Sequence, residues 1–346
     1  MRDILEEVER WRESGERVAI ATVILTWGSA PRLAGSVMAL TAGGKISGSV
    51  SGGCVEGAVV ESGLRCLATG RPERLRFGVS DETAWSVGLA CGGTIEVFVE
   101  PLRAEVFDAV REAIRGGRSS AVATVVAGAE EILGRRLLIC DDGTVTGSLG
   151  EGLDGAVAAE AREALAAGAP RRLEPSADRP AEIFIDVLLP APRLVVVGGV
   201  HIAIPLVAIA KTLGYRTVVV DPREAFGSAG RFPDVDRLVS AWPDRALEEI
   251  GIDAATAVAV LTHDPKLDDP ALAAALRSSA FYVGALGSRR TQEKRRQRLL
   301  EAGLDEETLA RLHAPIGLPI GGRSPGEIAL SIMAQIVAAR NKGATS

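Results

Sequence analysis

Two cysteines set beside glycine pairs are the residues best suited to chemistry in this 346-residue chain: Ser51-Gly52-Gly53-Cys54-Val55-Glu56 and Cys91-Gly92-Gly93. A thiolate binds soft metals and attacks sulfur, and the positive end of a helix favours it. An apolar-periodic segment from about Val55 to Ala68 reads as a helix, which puts Cys54 at such an end. Gly52 and Gly53 would let an anion approach the backbone N–H groups. Glu56 reads either as a first-turn carboxylate supporting the helix or as a proton acceptor. Alone, Cys54 would be read as a small buried hydrophobe; a second Cys-Gly-Gly at Cys91 tips the reading towards function. Trp27 and Trp85 lie in loops, where planar indoles suit a flat heterocyclic ligand or serve as packing wedges.

The elements that must hold these residues are written twice. Ala21-Thr22-Val23 is echoed by Ala123-Thr124-Val125, Ile46-Ser47-Gly48-Ser49 by Val145-Thr146-Gly147-Ser148, and Glu96-Val97-Phe98-Val99-Glu100 by Glu182-Ile183-Phe184-Ile185-Asp186. Two copies, about 16–102 and 119–189, therefore fill a first domain of residues 1–190, an α+β fold with an internal duplication. Features common to both copies read as scaffold. The second copy lacks about three residues where Trp27 to Pro31 stand, puts Leu153 near the place of Cys54, and drops the loop from about Asp81 to Gly93. All of these differences fall between elements, where function usually sits. The expectation is a site built on copy one and supported by copy two. Cys66 and Cys140 fall within apolar patterns and read as core.

Pro190-Ala191-Pro192 marks a boundary, and residues 191–346 alternate apolar strands with helices, as in a Rossmann-like, doubly wound parallel sheet. The turn after the first strand, Gly198-Gly199-Val200-His201-Ile202-Ala203, keeps the first glycine of a dinucleotide fingerprint but has Val200 where the pyrophosphate would touch backbone. Asp221 ends the second strand, where a ribose-binding acid would stand, so NAD(P) is supported by the acid and opposed by the valine. His201, His263 and His313, the three histidines of the chain, each follow an apolar segment or a Gly/Pro turn, which can set them on the carboxyl edge of the sheet. His263-Asp264 reads as an oriented general base, as a metal pair, or as a simple cap of the next turn. Ser288 and Arg289 open the one dense basic run and could take a phosphate or carboxylate; the rest of that run reads as a solvated helix face.

A net charge of −6 argues against a nucleic-acid or anionic-membrane footprint. The first residues, Met1 to Trp11, read as an acidic amphipathic helix and not as a signal peptide, so the expected home is the cytoplasm, with the four cysteines as thiols.

Several of these motifs resemble, in order, the XdhC/CoxI family. Gly28-Ser29-Ala30-Pro31-Arg32, Gly35-Ser36-Val37-Met38, Ser51 to Glu56 and Cys91-Gly92-Gly93 are similar to its N-terminal signature. Leu261 to Asp268, Gly284 to Thr291 and His313 to Leu318 are similar to that of its Rossmann domain. The resemblance implies a molybdenum-cofactor carrier more than a catalyst: it would shelter molybdopterin during sulfuration and help insert it into an apo molybdenum hydroxylase of the xanthine dehydrogenase type. A cysteine desulfurase and a homodimer are further expectations. Trp27, Ser29, Arg32, Gly52, Gly53, Cys54, Glu56, Cys91, Gly92 and Gly93 would form the first wall of the cofactor site. Gly198, His201, Asp221, His263, Asp264, Ser288, Arg289 and His313 would form the second. Cys54 or Cys91 could contact the molybdenum or relay sulfur, and catalytic roles, if any, would fall to Cys54, Cys91 or His263. The competing readings are an NAD(P)-dependent oxidoreductase and a partner-docking scaffold.

Overall fold

The computed structural model describes residues 1–28, 32–78, 93–176 and 179–341, and the chain divides into two compact units, Met1–Pro190 and Ala191–Ser346. In the first unit, helix α1 (Leu5–Glu13) precedes strands β1 (Val18–Trp27), β2 (Val37–Thr41) and β3 (Ile46–Gly48), helix α2 (Glu56–Thr69), and strands β4 (Glu73–Phe77) and β5 (Thr94–Pro101). After helix α3 (Ala104–Arg115) the same succession returns: β6 (Ser120–Ala127), β7 (Arg136–Cys140), β8 (Val145–Gly147), α4 (Asp154–Ala167), β9 (Arg171–Leu173) and β10 (Glu182–Leu188). The two antiparallel five-stranded sheets have equivalent orders, β3-β2-β1-β5-β4 and β8-β7-β6-β10-β9.

Each sheet is buried on both faces, one against its own helix and the other against the second sheet. On one face α2 packs Val59, Cys66 and Leu67 against Met38, Leu40 and Val97, while α4 packs Val157 and Ala161 against Leu137 and Ile139. Both helices end on a left-handed glycine, Gly70 or Gly168, which releases the chain into the next strand. On the other faces, Ile24 and Phe98 of one sheet meet Val126 and Phe184 of the other. Ion pairs cross this seam reciprocally: Arg74 reaches Glu182 at 2.8 Å, and Arg172 reaches Glu96 at 3.5 Å. A matching glycine ends the third strand of each copy. A Cβ at Gly48 or Gly147 would strike the carbonyl of Val37 or Arg136, and φ is +77° or +87°, so both positions require glycine.

The second unit is a six-stranded, wholly parallel sheet of order β13-β12-β11-β14-β15-β16. Its strands are β11 (Arg193–Val197), β12 (Arg216–Val220), β13 (Arg237–Val239), β14 (Thr256–Val260), β15 (Tyr282–Ala285) and β16 (Leu312–His313). Helices α5 (Ala203–Thr212) and α10 (Pro325–Asn341) cover the face bearing Leu194 and Val196. Helices α6 (Pro243–Ile250), α7 (Pro265–Arg277), α8 (Arg289–Glu301) and α9 (Glu306–Ala310) cover the face bearing Val195 and Val197. Strands buried on both faces read as continuous Val/Ala runs, and covering helices on both sides make this the Rossmann-type, doubly wound arrangement. No helix among the described residues is long and apolar enough to cross a membrane.

Candidate functional site

Strand register brings several strand ends of copy one together. Trp27 pairs with Thr94, Phe77 with Ile95, Thr22 with Val37, and Met38 with Gly48. The end of β1, the start of β2, the ends of β3 and β4, and the start of β5 therefore all fall at one end of the first sheet. The chain therefore leaves the sheet at that end after Trp27, after Gly48 and after Phe77. Trp27 is 71% exposed there, Leu33 78% exposed, and Arg32 and Cys54 are exposed as well, whereas Gly93 is buried. Ser29, Trp85, Cys91 and Gly92 lie outside the described residues. Among the described residues, no group of three or more His, Cys, Asp or Glu is placed to hold a metal. Cys66 and Cys140 are buried, as their apolar setting suggested.

The turn before α2 departs from the anion-binding expectation. Glu56 accepts hydrogen bonds from Ser49 Oγ at 2.7 Å, Ser51 N at 2.9 Å, Gly52 N at 3.0 Å and Gly53 N at 2.9 Å, and also from Ser51 Oγ. The donors that would have cradled a ligand are taken up by the protein's own carboxylate. Burial pushes the Glu56 carboxyl up, but the donors of Ser51 and Ser49 outweigh it and hold it at about 2. Of the two roles open to Glu56, the structural one is what the geometry provides; no lone pair is left directed at a ligand proton. Ser51 Oγ in turn accepts from Cys54 N and Val55 N, both at 3.1 Å.

Copy two corrects the alignment of Leu153. Val50, Val55 and Val59 are buried in copy one where Leu149, Leu153 and Val157 are buried in copy two, so Leu153 stands in the place of Val55. Gly152 is then the neighbour in the position of Cys54.

On the parallel sheet, β11 and β14 are adjacent and level, Val197 beside Val260, so His201 and His263 emerge exposed from neighbouring strand ends. Asp264 is the cap of α7, accepting from Lys266 N at 3.0 Å, which is the plainest of the roles it could have had. The turn and acid singled out for a nucleotide are engaged within the protein. Asp221 is buried and accepts from Gly199 N at 2.8 Å and from Arg223 N and Nε at 2.9 Å, so it is occupied where a ribose would need it. Burial alone would raise its carboxyl, but the Arg223 and Gly199 donors hold it below the usual range. The glycines serve packing: a Cβ at Gly198 would collide with Thr262, and one at Gly199 with the carbonyl of Phe226. His313 parts company with the other histidines. It pairs with Gly284, one residue short of the rim, and its ring stacks on Tyr282 at 4.6 Å between centroids.

The basic run also needs correction. Ser288 caps α8 through Thr291 N at 3.2 Å, and exposed Arg289 lines a cavity of about 480 Å³ with Gln292, Arg296, Leu309 and Leu312. Arg295, expected on a solvated face, is instead buried. Its guanidinium meets Asp268 at 2.6 Å and the carbonyl of Leu286 at 3.1 Å, and Asp268 also accepts from Thr262 Oγ1. This pair ties the loop carrying His263 to the loop carrying Ser288, and sequence reasoning missed it. The available signal was a second acid, Asp268, at helical spacing from the cap Asp264 and on the inward side of α7.

A duplicated α+β unit with Cys54 and Trp27 exposed at one sheet end, followed by a Rossmann-type unit, defines the class of two-unit proteins to which this chain belongs. Residues 11–78 and 113–174 match the XdhC and CoxI family, and residues 194–336 match the XdhC Rossmann domain; the chain belongs to this family. It is 29% identical over 337 residues, 95% of each chain, to a Bacillus subtilis protein whose name describes it as a probable subunit of xanthine dehydrogenase. It is 27% identical over 329 residues to the Escherichia coli molybdenum cofactor insertion chaperone PaoD, covering 94% of this chain and 85% of that one. A solved Bacillus halodurans structure, described as a xanthine dehydrogenase, superposes with a TM-score of 0.80 at 26% identity, over 99% of this chain and 97% of that one.

Proposed function

We propose that this protein carries molybdenum cofactor as cargo, shelters it while a metal-bound oxygen is exchanged for sulfur, and hands it to an apo molybdenum hydroxylase of the xanthine dehydrogenase type. The cargo surface is the open end of the first sheet. There Trp27 offers an indole face to the fused pterin, Arg32 a cation to the phosphate, and Cys54 a soft donor to the metal. The observation that carries this reading is the segregation of chemistry between duplicates. The corresponding loops of copy two, 128–135, 148–153 and 174–181, contain neither cysteine nor tryptophan. Alignment with PaoD along most of the chain supports the same role. Sulfur would come from a cysteine desulfurase, and the carrier would work as a homodimer.

The test is purification of the full chain from a cofactor-producing host, followed by assay of molybdenum and of pterin released by oxidation. Wild type should carry both, and Trp27→Ala and Cys54→Ala should each lose most of them while staying folded. Equal absence in wild type and both variants would refute the proposal. Co-purification with a desulfurase and light scattering of the isolated chain check the partner and the assembly.

A further inference from the structure

The carboxylate before α2 differs between the copies in a way that bears on Cys54. Residues 51–55 separate Val50 from Glu56, whereas only residues 150–153 separate Leu149 from Asp154. The shorter loop is held by the shorter acid: Asp154 accepts only from Ser148 Oγ and Leu149 N, each at 2.7 Å. In the longer loop, the additional methylene of Glu56 carries the same anchor out to Gly52 N and Gly53 N. Both glycines have positive φ, +89° and +126°, and an added Cβ on either would meet nothing within 4 Å. Packing against them is therefore not what fixes the turn. Hydrogen bonding is, to the Glu56 carboxylate from both amides and to Ser49 Oγ, at 2.8 Å, from Gly52 N as well.

We propose that Glu56 is a positioning residue, a latch that fixes the Ser51–Cys54 turn so that Cys54 is presented to the cofactor. This rests on the reading that Cys54 meets the cargo. The chain of contact is short: Glu56 holds Ser51 Oγ, and Ser51 Oγ accepts from the backbone N–H of Cys54 itself. With its carboxyl held at about 2, Glu56 stays ionised across the physiological range, so the latch is permanent and not a pH switch. The reach of the acid matters as much as its charge. An aspartate here would hold Ser49 and Ser51 as Asp154 holds Ser148 and Leu149, leaving Gly53 N without its acceptor and Gly52 N to Ser49 Oγ alone, as Gly150 N is left to Ser148 Oγ in copy two.

The test uses the full chain isolated with cofactor from a producing host, in wild type, Glu56→Ala, Glu56→Asp, Cys54→Ser and Glu56→Ala/Cys54→Ser. Amide exchange at Gly52 and Gly53 reports the latch, and molybdopterin retained per chain reports the presentation. Glu56→Ala and Glu56→Asp should both speed exchange, more at Gly53 than at Gly52, whose amide keeps Ser49 Oγ, and lower cofactor affinity about 10-fold, as for loss of a hydrogen bond to a charged group. Added acetate should partly restore Glu56→Ala. Because Glu56 acts through Cys54, the double variant should bind no worse than Cys54→Ser. Wild-type retention in Glu56→Asp, or additive losses in the double variant, would overturn the proposal. Should Glu56→Ala not fold, Glu56→Gln, which keeps the shape and loses the charge, takes its place under the same criteria. A wild type that holds no cofactor would instead defeat the function reading, with the exchange data still deciding whether the latch exists.

Discussion

Replacing Arg295 by leucine should unfold the second unit more readily than its place in a basic surface helix would suggest. The Arg295 and Asp268 side chains are only 1% and 2% exposed, and their nitrogen and oxygen lie 2.6 Å apart. Burial raises the Asp268 carboxyl, and the bonds from Thr262 and Arg295 oppose that rise, so without the arginine an ionised carboxylate would be left in the core uncompensated. Removing one member of a buried pair costs about 3–5 kcal/mol, a large part of the roughly 5–15 kcal/mol that holds a domain together. Native-state hydrogen exchange at the core amides Val258, Val260 and Val283, whose opening reports unfolding of this sheet, would measure the loss. The cost should shrink as pH is lowered, because a protonated Asp268 carries no charge to strand. Leucine at both positions should return to within about 1–2 kcal/mol of wild type, since apolar replacements of buried pairs are often neutral. In the single variant, amides of the loops bearing His263 and Ser288 should exchange sooner than the sheet. A single-variant cost below about 1 kcal/mol, or a double variant as unstable as the sum of the singles, would refute the assigned role of the pair.

Further tests concern the first unit. Burial lifts the Asp186 carboxyl from 3.8 to about 6 against the pull of nearby positive charge, so stability is fully present below about 3.8 and is lost as pH rises through 6. That shift corresponds to about 3 kcal/mol, and Asp186→Asn should remove the loss, visible as a Tm that no longer falls as pH rises from about 4 to just above 6. Gly48→Ala and Gly147→Ala should each cost at least the roughly 1–3 kcal/mol of a strained positive φ, with the carbonyl collision added; urea midpoints within about 0.5 kcal/mol of wild type would contradict the shared scaffold role.

Strands, helices and the duplication were legible because they rest on local regularities: β-branched runs such as Val18 to Thr26, and the echo of Ile46-Ser47-Gly48 in Val145-Thr146-Gly147. The parallel sheet followed from the alternation of apolar runs and helices. The side-chain partners were not legible, because they are set by distance in space. Glu56 could be read as helix support or as a base, and only the turn's geometry shows its carboxylate saturated by five donors. Arg295 sits among four other arginines of one helix, and composition cannot tell which of them turns inward. His313 followed the same pattern as His201 and His263, yet pairing with Gly284 sets it below the rim and against Tyr282.

The duplication itself has a physical reason to persist apart from any chemistry. The inner face of the first sheet carries Phe98 beside Glu96 and Glu100, all nearly fully buried, and the second carries Phe184 beside Glu182 in the same way. Neither face would be tolerated in water or against a wholly apolar partner, since the carboxylates need Arg74, Arg136 and Arg172 and the phenylalanines need each other. Each copy is thus held by its twin through the middle of the strands. The strand ends carry little of that packing, so loops there can lengthen and change type without loosening the seam. Trp27, 71% exposed, is the direct case: its replacement by alanine should leave unfolding within about 0.5 kcal/mol while emptying the protein of cofactor. A matched loss of stability and cargo in that variant would mean that the chemistry and the scaffold are not separable in this fold.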